Sequence, residues 1–273
     1  MFKDLFSLKG RVALVTGGSR GIGKMIAAGF LAQGAAKVYI TARKAGPCEA
    51  TAKELSAAYD GECIALPIDI STVEGCERLA GELIKLEPKL DILVNNAGAA
   101  WGADFDEFPE SGWDKVMDLN VKSIFFLTKA LAKPLRAAAT HERPAKVINI
   151  ASIDGIFVNP METYSYAASK AAVIHLTRRM ATRLVKDNIN VTAIAPGAFK
   201  SDMNRAARDQ AAPEGLHASV HNGARRSRKV EAGIRQARRE VDGAFRRPCR
   251  PARQMVRRHQ GDAGRRAELP DDR

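Results

Sequence analysis

A chain of 273 residues, 45% hydrophobic and 27% charged, is long enough for one large α/β domain or two small ones. Its formal charge of +12 would ordinarily point to a nucleic acid or an anionic surface. The excess is lopsided, however: residues 213–273 hold 16 Lys/Arg against 8 Asp/Glu (net +8), whereas residues 1–212 hold 27 against 23 (net +4), so the body argues against nucleic acid as its main partner.

The first ten residues lack the apolar core of a signal peptide, and no apolar run approaches a membrane span. Cys48, Cys63, Cys76 and Cys249 form no Cys-x-x-Cys pair and have no histidine at ligand spacing. The expectation is a cytoplasmic protein with free thiols and no metal.

Arg11 to Thr16 is a short apolar, β-rich run that reads as a strand buried on both faces. It leads into Thr16-Gly17-Gly18-Ser19-Arg20-Gly21-Ile22-Gly23 and then a helical stretch, Lys24 to Gln33. Strand, glycine turn and helix in that order make a phosphate cradle, because glycines admit close backbone approach and a helix N-terminus presents unpaired N–H groups. The spacing is Gly-x-x-x-Gly-x-Gly, not the commoner Gly-x-Gly-x-x-Gly.

Lys37 to Thr41 is the second strand. An NAD-binding chain would carry Asp or Glu at its end for the ribose 2′-hydroxyl. Here Thr41-Ala42-Arg43-Lys44 follows, and the planar fork of Arg43, with Arg20 nearby in the loop, suits a 2′-phosphate. NADP is therefore favoured over NAD, the other reading of Arg43 and Lys44 being ordinary exposed charges.

Gly46 to Ala58 reads as a helix, Cys63 to Ile68 as a third strand and Gly75 to Leu86 as the next helix. Asp69 lies just past the third strand, where it suits either an adenine amino group or the cap of the helix starting near Thr72. Leu90 to Val94 is a fourth strand ending in Asn95-Asn96-Ala97-Gly98, two amides able to tie neighbouring strands and a glycine permitting close approach. Trp113 to Leu131 reads as one long helix holding Asn120, a residue poorly suited to a helix interior.

Lys146 to Ile150 is the fifth strand, with Ser152 at its C-terminal end, the edge where open α/β sheets bind ligands. Tyr166 and Lys170 follow on a helix running to Val185. Four residues apart, they share one helix face, and an ammonium beside a phenol is expected to lower the phenol's pKa. Asn190 to Ile194 is the sixth strand, ending in Ala195-Pro196-Gly197. The pattern predicts a doubly wound parallel α/β sheet of Rossmann type, strand order 3-2-1-4-5-6.

Taken together, Thr-Gly-x-x-x-Gly-x-Gly at 16–23, Asn-Asn-Ala-Gly at 95–98, Asn120, Ser152, Tyr-x-x-x-Lys at 166–170 and Pro-Gly at 196–197 resemble the short-chain dehydrogenase/reductase family. Within it the chain is similar to NADPH-dependent 3-oxoacyl-(acyl carrier protein) reductases of the branch associated with rhamnolipid biosynthesis, on Trp101-Gly102 and Ser-Gly-Trp-Asp-Lys-Val-Met at 111–117. The resemblance implies a catalytic set of Asn120, Ser152, Tyr166 and Lys170. Ser152 and Tyr166 would bind the substrate oxygen, Tyr166 would transfer the proton, Lys170 would tune it and hold the nicotinamide ribose, and Asn120 would support a water.

It also implies cofactor contacts from Gly17, Ser19, Arg20, Gly21, Ile22 and Gly23, from Arg43, from Asp69 and Ile70, from Asn96, Ala97 and Gly98, from Tyr166 and Lys170, and from Pro196 and Gly197. Tyr164 is a decoy, facing another way with no lysine four residues on. A family member would form a homotetramer on the Tyr166 helix and the C-terminal elements.

The resemblance ends soon after Ser201-Asp202-Met203, dividing the chain into a Rossmann domain, 1–212, and an arginine-rich segment, 213–273. No seventh strand or substrate-covering helix is readable there, which puts the tetramer in question. An out-of-frame translation, a basic arm and a short amphipathic helix through Val230, Ile234, Ala237 and Val241 each account for the segment. Three functions are in competition: reduction of a 3-oxoacyl thioester, oxidation of a sugar or polyol by the same machinery, and non-catalytic binding of a nucleotide or nucleic acid.

Overall fold

The computed structural model describes residues 6–197, and everything expected of the chain beyond Gly197, the missing seventh strand and the basic segment included, lies outside the described residues. Six parallel strands form one sheet in the order β3-β2-β1-β4-β5-β6, as expected from the sequence. They are β1 (Val12–Thr16), β2 (Lys37–Thr41), β3 (Glu62–Ala65), β4 (Ile92–Asn95), β5 (Ala145–Ile150) and β6 (Ile189–Ile194). The order turns back between β1 and β4, which pair in register Leu14 to Leu93, and this reversal opens the crevice in which such sheets take ligands.

Helices α1 (Gly21–Ala32), α2 (Ala45–Ala58), α3 (Val73–Leu86), α4 (Glu110–Met117), α5 (Ser123–Ala130), α6 (Ala132–Ala138) and α7 (Tyr164–Leu184) connect the strands. Two cores result, one for each face of the sheet. Ala13, Val15, Val38 and Ile40 pack with Leu31 of α1 and Leu55 of α2. Alternate residues Leu14, Tyr39, Leu93 and Val147 pack with Leu79 of α3, Leu127 of α5 and Val173 of α7, as side chains of period two in a covered sheet must. None of the helices among the described residues is long and apolar enough to cross a membrane.

Three sequence expectations are corrected. The first helix begins at Gly21, not Lys24, so Gly21, Ile22 and Gly23 form its first turn and not a loop before it. The third strand ends at Ala65, not Ile68: Leu66 N–H makes a last bond to Ile40 O at 2.8 Å, and Pro67 has no N–H to continue.

The long helix over 113–131 is broken into α4, a π-helical turn at Asp118–Lys122 and α5. The turn holds Asn120, whose amide is engaged by the backbone of another loop, and Ser123 Oγ donates to Leu119 O at 2.6 Å. A π-turn of this kind inside a helix often marks a functional position.

Candidate active site

The strand ends of β1, β4, β5 and β6 meet at one edge of the sheet. Thr16 Oγ1, at the end of β1, accepts the N–H groups of Asn96 and Ala97, both at 2.9 Å. Asn96 Nδ2 donates back to Thr16 O at 2.8 Å. The expected amide ties are thus present, and they hold the Gly17 loop against the 96–98 loop. Gly17 and Gly21 have φ of 66° and 56°, the left-handed region glycine enters without penalty. A Cβ on Gly23 would overlap Gly17 O and lie 2.6 Å from Asn96 Nδ2.

The N-terminus of α1 has no side-chain cap and no acidic residue in its first turn. Bare N–H groups, helix dipole and a floor with no room for side chains fit a pyrophosphate. Ser19 O accepts from Thr51 Oγ1 at 2.9 Å, tying the loop to α2.

Gly18 N–H donates to Thr41 O at 3.2 Å, so the same loop lies against the end of β2, where Arg43 is exposed, as is Arg20 at the start of α1. Asp69 is exposed beyond β3. Its cap alternative is corrected: Thr72 caps α3, its Oγ1 accepting Gly75 N–H at 3.1 Å, while Asp69 Oδ1 accepts only the nearby Ser71 N–H at 3.0 Å. Ile70 is buried, packed in the core with Cys76.

Ser152, Tyr166, Lys170 and Asn120 are brought together. Ser152 is buried at the end of β5, and its side chain acts on the Tyr166 phenol, favouring the phenol's ionised form. Lys170 is 5% exposed, donates to Ile150 O at 2.8 Å and lies 5.5 Å from the Tyr166 ring centroid. Asn120 is 1% exposed: its Oδ1 accepts Ala99 N–H at 2.8 Å, and its Nδ2 donates to Ala99 O and Ser169 Oγ, both at 2.9 Å. A Cβ on Gly98 would lie 3.3 Å from Asn120 Oδ1 and 3.8 Å from Lys170 Nζ, so the backbone at Gly98 closes directly over this pair. Pro196 O accepts Ile153 N–H at 3.1 Å, fixing the end of β6 beside Ser152, and Gly197 is exposed one residue further on.

The expected fall of the Tyr166 pKa is not found. Burial pushes the phenol up, the Ser152 side chain pulls it down, and Asp154 pushes it up. Lys170 spends its short contact on Ile150 O, and burial pulls its own ammonium down from 10.5 to about 8, Asp154 opposing the fall. Desolvation outweighs the Lys–Tyr attraction that helix spacing alone suggests.

Tyr164 faces elsewhere, as anticipated: its ring meets Phe105 and Phe108 edge-on at 5.5 and 5.7 Å, and its hydroxyl bonds Glu162. Two residues given no role of their own from sequence are Thr16, quoted only as the head of the glycine motif, and Ser169, whose hydroxyl links Asn120 to Tyr166 O at 2.7 Å.

A doubly wound sheet with a glycine cradle at β1 and a Ser–Tyr–Lys cluster at β5 and α7 defines a dinucleotide-dependent oxidoreductase. The family model for short chain dehydrogenases matches residues 11–212, and the chain belongs to that family. It is 52% identical over 219 residues to a rhamnolipids biosynthesis 3-oxoacyl-[acyl-carrier-protein] reductase of Pseudomonas aeruginosa, covering 80% of this chain and 84% of the relative. It is 40% identical over 197 residues to a 2-dehydro-3-deoxy-D-gluconate 5-dehydrogenase of Escherichia coli, covering 72% and 75%. Among solved structures, the active-site complex of Pseudomonas aeruginosa RhlG with NADP matches with a TM-score of 0.74 and 51% identity, over 80% of this chain and 83% of that one.

Proposed function

We propose that the chain reduces the ketone of a 3-oxoacyl thioester to a secondary alcohol with NADPH, in the cytoplasm, a location suited to the buried free thiols Cys48, Cys63 and Cys76. The observation that carries the reading is the cluster of buried Ser152 and Lys170 with half-buried Tyr166 at the sheet edge that also bears the glycine cradle. The relative at 52% identity supports the substrate class. So does the rim beside Ser152, where Ile156, Phe157, Val158 and Met161 are half or more exposed or nearly so, a surface for an acyl chain and a poor one for a polyol.

The pyrophosphate would rest on the Gly17–Gly23 cradle, the 2′-phosphate on Arg43 and Arg20, the adenine beside Asp69 and Ile70, and the nicotinamide end beside Asn96, Ala97, Gly98, Pro196 and Gly197. When bound, NADPH supplies the hydride that goes to the carbonyl carbon. Ser152 Oγ holds the carbonyl oxygen, and the Tyr166 phenol donates its proton to that oxygen. A phenol held in its protonated form by burial is suited to give a proton in the reductive direction. Lys170, charged below about pH 8, holds the nicotinamide ribose and lies on the route by which the phenol is reprotonated. Asn120 keeps the Ala99 loop and the Ser169 hydroxyl in place beside it.

The test is Tyr166→Phe, assayed with a 3-oxoacyl thioester and NADPH and, in parallel, with 2-dehydro-3-deoxy-D-gluconate and the oxidised cofactor, NADP+ or NAD+. The expected result is thioester reduction by the natural chain, a fall in kcat of roughly 10²–10⁴-fold in the variant, and NADPH binding unchanged by fluorescence titration. A variant within tenfold of the natural chain would remove Tyr166 from the mechanism, and turnover of the sugar acid alone would replace the substrate class.

A further inference from the structure

Residues Ile153–Gly155 form a single 3₁₀ turn between β5 and α7, and it is fastened on three sides. Ser152 Oγ accepts Asp154 N–H at 3.1 Å. Ile153 N–H is bound by Pro196 O. A Cβ on Gly155 would lie 2.5 Å from Lys170 C and 2.7 Å from Ala171 N, so the turn rests on the backbone of α7 at Lys170 itself. The Asp154 backbone is thereby fixed one hydrogen bond from Ser152, in the turn that abuts the Lys170 backbone, which puts its carboxylate in the neighbourhood of both Tyr166 and Lys170, and its charge acts on both.

The other charges nearby are engaged elsewhere. Asp104, Asp106 and Glu162 act on Tyr164. Asp118 of the π-turn pairs with Lys122, which also feels Asp114 of α4, and Lys115 of α4 lies over the Trp101 ring. Lys146 is at the opposite end of β5 beside Arg11, β6 carries no charged residue, and Asp187 beyond α7 pairs with Arg136 and Arg183.

We propose that Asp154 is a positioning residue for the proton-transfer pair, a fixed negative charge that keeps both the Lys170 ammonium and the Tyr166 phenol protonated. A carboxylate favours the charged form of an amine and disfavours the charged form of a phenol, so at both groups it retains the proton. Burial acts in opposite senses on the two, so Asp154 opposes it at Lys170 and reinforces it at Tyr166. At Lys170 burial is the larger influence and the carboxylate works against it. The inference rests on the reading of Tyr166 as proton donor, with Lys170 behind it.

The test is Asp154→Asn in the full chain without cofactor, following the Lys170 titration by NMR of ¹³Cε-labelled lysine, the resonance being assigned by its loss in Lys170→Met. The Asn variant keeps the backbone N–H to Ser152, so a merely structural role for Asp154 would not move the midpoint. The midpoint is expected to fall by roughly one pH unit and to return in Asp154→Glu. The alkaline limb of the reduction profile should move the same way, since less of the phenol and the amine would then remain protonated.

An unmoved Lys170 midpoint overturns the proposal. A midpoint that falls while the rate profile stays put upholds Asp154 as the charge-setting group and instead removes Tyr166 and Lys170 from proton transfer. Should Asp154→Asn not fold, Asp154→Ser, which also retains the N–H, carries the same test.

Discussion

The two halves of the sheet hold their ligand-facing edges by different means. On the β1–β3 side the edge is made by leaving atoms out: Gly17, Gly18 and Gly23 sit where a Cβ would meet Ala97, Ile40 or Gly17 O. On the β4–β6 side it is made with buried polar groups. Of the thirteen buried polar residues among the described ones, Thr16, Thr41 and Thr51 belong to the first half, and the other ten lie between Asn95 and Thr177.

Asn95 Nδ2 donates to Asn149 Oδ1 at 2.8 Å, and Asn149 Nδ2 to Thr177 Oγ1 at 2.9 Å, a chain of amides and hydroxyls crossing β4, β5 and α7. A cofactor cradle needs space and bare backbone N–H groups, whereas a proton-transfer site needs fixed dipoles, and the interior of each half is built accordingly.

The sharpest way to break the first half is to fill its space. Gly23→Val places branched carbon against Gly17 O and Asn96 Nδ2, both backbone-tied and unable to yield. Overpacking of this kind costs about 3 kcal/mol. The displaced loop should abolish NADPH binding, to be read by fluorescence titration alongside a urea melt. A variant that bound NADPH normally would show that the close approach is incidental.

How much of this was legible beforehand follows the same division. The strand order, the glycine cradle and the Ser152, Tyr166 and Lys170 positions were readable, because apolar runs, glycines and helix spacing are local signals. The π-turn at Asn120 was not, because its cause is the backbone of Ala99, 21 residues away. The direction of the Tyr166 pKa was misread for a related reason: spacing shows that Lys170 is near, but the degree of burial and the presence of Asp154 come from three elements packed together. Asp154 itself carries no sequence signal, being one carboxylate in a turn.

The polar half should be marked by a stability that function opposes. Burial pulls the Lys170 ammonium down to about 8 in the folded chain from an ordinary 10.5. Between those values the unfolded chain binds more protons, so stability rises with pH across that window. Below about pH 8 the buried ammonium is a standing cost, on the order of 2–3 kcal/mol, partly offset by its bond to Ile150 O. Lys170→Met should therefore raise stability at pH 7 by roughly 1–2 kcal/mol and give no gain at pH 10, in urea melts at the two pH values, while its reductase activity is lost. Equal effects at both pH values would show that Lys170 is not buried as a charge.

The smallest expected effect separates two residues that the sequence left entangled at the end of β3. Thr72 Oγ1 satisfies an N–H that α3 would otherwise leave unpaired, so Thr72→Ala should cost about 1 kcal/mol. Asp69 accepts only an exposed N–H, and with Ser71, Thr72 and Arg78 it lines a hollow of about 300 Å³ at the sheet edge. Asp69→Ala should leave the melting temperature nearly unchanged and weaken NADPH binding by a few-fold, the scale of one exposed hydrogen bond. If capping and cofactor contact are separate tasks, the stability loss belongs to Thr72→Ala alone and the binding loss to Asp69→Ala. Both losses appearing in one variant would mean that the cap and the adenine contact share a single residue after all.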